Sequence, residues 1–80
     1  MLSPKQTLDT YFLEARRDLL EVAALLDRYD ESVSREGHKA EDESKLESLR
    51  EAMQLLAKPD HSKADRAKQL LAHFAKINWF

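Results

Sequence analysis

From Leu8 to Val33 the residues Leu8, Phe12, Ala15, Leu19, Val22, Leu26, Tyr29 and Val33 recur in alternating steps of four and three. That spacing draws one apolar seam along an α-helix, the kind that faces other helices, and a strand's two-residue alternation cannot reproduce it. No glycine or proline interrupts the seam, so a single long helix is the element around which the rest must be arranged. Its start is marked by "SPKQ": Ser3 is placed to cap, Pro4 sits where a missing N–H costs nothing, and Gln6 completes a capping box. Gly37, the one glycine, stands where a left-handed residue would end the helix. The helix is expected over about residues 4–35, a length on the order of 45 Å.

Two shorter helices follow. Beyond the polar connection "GHKAEDE", the residues Leu46, Leu49, Met53 and Leu56 predict a helix over about residues 42–57, ended by Pro59. In "SKAD", Ser62 caps and Asp65 closes a box, which predicts a third helix over about residues 62–77 with Ala67, Leu70 or Leu71, Phe74 and Ile77 inward. The fold class is therefore all-α: a three-helix bundle in one domain, a long first helix followed by two short ones.

An 80-residue chain has room for one core. Such a core supplies roughly 3 to 5 kcal/mol, and small folds add disulfides, metals or partners. With no cysteine, disulfides and thiolate metal sites are excluded together, and a cytoplasmic setting is expected. Charged residues make up 35% and hydrophobic residues 42%, a balance that excludes both a membrane span and a chain too polar to fold. The opening "MLSPKQ" lacks the layout of a signal peptide. Partner association remains as the expected support.

The mismatch in helix lengths points the same way. Two short helices folded back on the long one would leave Leu8, Tyr11, Phe12 and Leu13 uncovered, unless they lie end to end along it with a bend at Pro59 or a second chain covers the exposed half. The stretch "LLEVAALLDRY" adds width, since seven of its first eight residues are apolar. At about 100° per residue, Leu13 and Leu20 form a second line well off the main seam. Tyr11 and Leu25 form a third at the edge of the polar stripe of Glu14, Arg17, Glu21 and Arg28. A homodimer, or a pairing with another helical protein, is expected through Leu8, Tyr11, Phe12, Leu13, Leu20 and Leu25.

Catalytic chemistry finds little material. His38, His61 and His73 form no His-x-x-x-His or Glu-x-x-His pair, so the ligand pattern of di-iron bundles is missing. Phosphate cradles and oxyanion turns have one glycine to draw on, and no serine has a histidine and an acid at a recognisable spacing. No enzyme activity, metal or other cofactor is expected. In "AHFAK", His73 and Lys76 are similar to the histidine phosphotransfer bundles in placing an imidazole one turn before a lysine. The chain departs from them in having Ile77 where they have glycine, and in placing the motif at its end. The run "YFLEARRDLLEVAALLDR" resembles short helical bacterial proteins, a likeness that implies no activity.

The net charge of −2 hides a division. Residues 41–57 carry five acids against two bases, and residues 58–80 carry five bases against two acids. Attraction between an acidic second helix and a basic third one is the plain reading. A strip of Arg66, Gln69, His73 and Lys76 on one face of the third helix is the alternative, as a contact for nucleic acid or another anion, although four groups make a small footprint. The terminal Trp79 and Phe80 are expected to fold onto the chain's own core.

Overall fold

A computed structural model describes residues 1–58 and 64–76. It is all-α, a long helix followed by two short ones: α1 (Pro4–Glu36), α2 (Ser44–Ala57) and α3 (Arg66–Ala75). The chain divides into two units, Met1–Lys39 and Ala40–Phe80.

In the first unit, α1 runs for 33 residues, about 50 Å. Its ends obey the local chemistry of the sequence. The Ser3 hydroxyl accepts the Gln6 amide at 3.1 Å, and the Ser3 amide donates to the Gln6 side-chain oxygen at 2.9 Å. Two amides that the helix leaves without partners are thereby bonded. At the other end Gly37 takes φ 82°, and its amide donates to the Val33 carbonyl at 2.8 Å. A side chain at that φ would be strained, which explains why the only glycine is there. Along the solvent face, Lys5 and Asp9 pair at 2.6 Å.

In the second unit α2 packs against α3. The buried positions of α2 are Ser48 and Ala52, the latter only 5% exposed. Leu46, Leu49 and Met53 of the expected seam are half-buried, and Leu56 is exposed. The small side chains let the two helices approach, and the larger ones flank the contact. On α3 the inward residues are Leu70, His73 and Phe74, while Leu71 faces solvent.

Both short helices start later than the spacing predicts. α2 begins at Ser44 because the Asp42 carboxylate accepts the Ser44 amide at 2.9 Å and stands in for a helical partner. α3 begins after Asp65, which occupies the N-cap position instead of the third helical one and holds Gln69 through its carboxylate at 2.8 Å. The expected break at Pro59, the Ser62 cap, and the inward Ile77, Trp79 and Phe80 lie outside the described residues. His61 does too.

The Asp42 bond to Ser44 has a pH signature. Hydrogen bonding to the Ser44 hydroxyl, then to its amide, holds the Asp42 carboxyl below the ordinary value of 3.8, with Lys45 adding a smaller pull. A carboxyl with a depressed folded value contributes stability that is present above its unfolded value and is lost as pH falls through the folded one. The Ser44 amide is therefore expected to lose exchange protection on acidification below about pH 4, and to lack that protection at every pH in Asp42→Ala. Amide exchange measured by NMR checks both.

Candidate interaction surface

No residue of α1 is buried. The seam that the sequence lays along it divides by exposure into two parts. From Val22 onward, Val22, Leu26, Tyr29 and Val33 are half-buried. Before that point the same seam stands in solvent, with Leu8 71% exposed, Phe12 61% and Leu19 66%. Ala15 lies between them and is also exposed. On this face Phe12, Ala15 and Leu19 line an apolar groove, with Arg16 and Leu20 at one edge.

The expected interface residues are all exposed, but they do not share one face. Leu8 and Phe12 lie on the seam and Tyr11 borders it, with Leu25 further round toward the polar stripe. Leu13, 73% exposed, and Leu20, 53%, stand more than about 120° away from the middle of the seam. Leu19 belongs with Leu8 and Phe12. Its place in the four-three spacing was the signal available for including it in the interface set.

Exposed leucines taken singly need no explanation. Three large apolar residues in register over three turns of one helix, bordered by Tyr11, are a different case, because monomeric proteins seldom leave a contiguous apolar face in water. A long helix also gains most of its stability from packing such a face and little from propensity. The exposed part of α1 is therefore an apolar helix face without burial on this chain.

The second unit holds the residues of the alternative anion strip. The His73 side chain is 14% exposed, and its Nε2 lies 3.0 Å from the Ser48 carbonyl oxygen and 3.2 Å from Ser48 Oγ. A carbonyl only accepts, so Nε2 carries the proton and donates to it. Nδ1 faces the Glu51 carboxylate at 4.0 Å. His73 thus joins α3 to α2 and satisfies polar groups around a buried serine. Gln69 is held by Asp65, which leaves Arg66 and Lys76 as the exposed cations of the strip. The imidazole that resembles a phosphotransfer histidine has its Nε2 engaged with α2. His38 is exposed, with Nδ1 at 3.0 Å from the Lys39 carbonyl.

Among the described residues no three His, Asp or Glu side chains come together as a metal site. None of the described helices is long and apolar enough to cross a membrane. No protein-family model, no curated protein and no solved structure matches the chain.

Proposed function

We propose that this chain is a small helical interaction module that pairs with a second copy of itself through the N-terminal half of α1. A single observation carries the reading: a 33-residue helix without one buried residue keeps Leu8, Phe12 and Leu19 in solvent along one continuous face. Each of these side chains gains about 1.5 to 3 kcal/mol when fully removed from water. A symmetric pairing counts each of them twice. The role is association and scaffolding, with the second unit carried on the same chain.

Sedimentation across a dilution series tests this reading. The expected result is a species of twice the 9.3 kDa chain mass that falls to single chains on dilution. A single-chain mass at every concentration would overturn it. The two apolar lines of α1 are separated by a second measurement. Leu13→Glu is expected to leave the two-chain mass intact, because Leu13 lies on the outer side of the pair, away from the groove that Leu20 borders. Dissociation of that variant would move the interface to the Leu13 and Leu20 line.

A further inference from the structure

The dimer proposed above has, on the same residues, a definite orientation and register. In heptad terms, Phe12, Leu19, Leu26 and Val33 take the a positions of the seam, and Leu8, Ala15, Val22 and Tyr29 take d. The flanking e positions are then Asp9, Arg16, Ala23 and Asp30, and the g positions Tyr11, Asp18, Leu25 and Ser32. We infer that two copies of α1 pair antiparallel over residues 5–22, with Phe12 of each chain seated over Ala15 of the other and Asp9 of each paired with Arg16 of the other.

Shape supports this arrangement. The groove lined by Phe12, Ala15, Arg16, Leu19 and Leu20 includes the hole around Ala15, and a large knob fits where the residue at its floor is small. Antiparallel pairing puts a against d, so Phe12 meets Ala15 twice and Leu8 meets Leu19 twice. A parallel pair in register would instead stack Phe12 on Phe12 and then leave Ala15 facing Ala15, one layer overfilled and the next underfilled.

Charge selects the same solution. Antiparallel helices bring e against e and g against g. With Phe12 opposite Ala15, the e contacts are Asp9 with Arg16, made twice, and the g contacts are Tyr11 with Asp18, a hydroxyl that can donate to a carboxylate. Sliding one chain by a heptad toward its C-terminus sets Arg16 against Arg16 and Asp18 against Asp18. A further heptad sets Asp9 against Asp30, and a slide the other way sets Asp9 against Asp9. The parallel pair in register has no opposite-charge contact between g and the following e. Asp9 already meets Lys5 on its own helix, but that pair is exposed and holds the carboxylate weakly. The selected overlap also coincides with the part of the seam that stands in solvent.

The inference rests on self-association through α1, and the test separates the two. The chain has no cysteine, so Glu31→Cys gives one spin-label site. In the antiparallel register, labels at Glu31 lie about 50 Å apart, and in a parallel pair within about 20 Å. Asp9→Arg alone and Arg16→Asp alone each set like charges together twice, and each is expected to weaken the dimer on the order of tenfold or more. Mixing the two variants sets the arginine introduced in one against the aspartate introduced in the other, and the native Arg16 of the first against the native Asp9 of the second. Every facing pair is then of opposite charge, and the dimer is expected to return as a heterodimer. A two-chain mass with a short Glu31 distance, or no recovery on mixing, would overturn the antiparallel register and leave self-association standing. A single-chain mass for the unaltered protein would overturn both.

Discussion

Phe12→Glu combined with Leu19→Glu is expected to reduce the protein to single chains of 9.3 kDa at every concentration where the unaltered chain pairs. Symmetry makes the change fourfold, since each interface loses two apolar anchors from each chain. At about 1.5 to 3 kcal/mol for each large side chain removed from water, the gross loss is about 6 to 12 kcal/mol. A micromolar dimer is held by only about 8 kcal/mol, so the variant cannot remain paired. Burying four carboxylates against apolar surface adds a further cost in the same direction.

A second readout accompanies the first. An isolated helix is marginal in water, and its stability in proteins comes mainly from a packed face. The helicity of α1 should therefore fall with the two-chain mass, both in the double variant and on dilution of the unaltered chain. The Ser3 box and the Gly37 cap would persist as local preferences without a packed face to support the turns between them. Circular dichroism and sedimentation on the same dilution series check the coupling. A double variant that keeps its two-chain mass would show that Phe12 and Leu19 are not the anchors.

The ends of α1 were legible because they depend on neighbours in the sequence. Ser3, Pro4 and Gln6 specify a box among themselves, and Gly37 specifies a left-handed turn with no long-range contact. The starts of α2 and α3 were less legible. They hinge on whether Asp42 and Asp65 bond backward or forward, a competition between carboxylate and helix that residue type leaves open. The α2 contact was harder to read for a different reason. Apolar spacing picks out Leu46, Leu49, Met53 and Leu56, yet the buried positions of α2 are Ser48 and Ala52, which are small. His73 could not be placed either, because its role depends on a carbonyl of another helix.

For the interaction surface, periodicity marks which side chains share a face but not whether that face is covered. The seam from Leu8 to Val33 reads uniformly apolar, and only the structure distinguishes its exposed first half from its half-buried second half. The flanking charges carry more than the pattern suggests. Asp9 and Arg16 look like ordinary solvated residues on a helix, and they enter the proposed pairing only because Leu8, Phe12 and Leu19 beside them are exposed.

Ala52→Leu is expected to destabilise the second unit by about 1 to 3 kcal/mol, the usual cost of forcing extra methylenes into a filled contact. Ala52 is 5% exposed and sits one turn after Ser48, whose carbonyl accepts the His73 Nε2 proton. A leucine there would push α3 away from α2 and stretch that 3.0 Å hydrogen bond, adding the loss of a buried polar contact to the steric cost. Leucine is nearly as good a helix former as alanine, so α2 itself should remain intact and the damage should appear in the contact. The signature is a lower denaturation midpoint together with a changed His73 imidazole resonance, while the two-chain mass set by α1 stays unchanged. An unaltered midpoint would mean that the α2 and α3 contact adds little to stability. Loss of the two-chain mass would mean that pairing depends on the second unit, against the assignment of the interface to Leu8, Phe12 and Leu19.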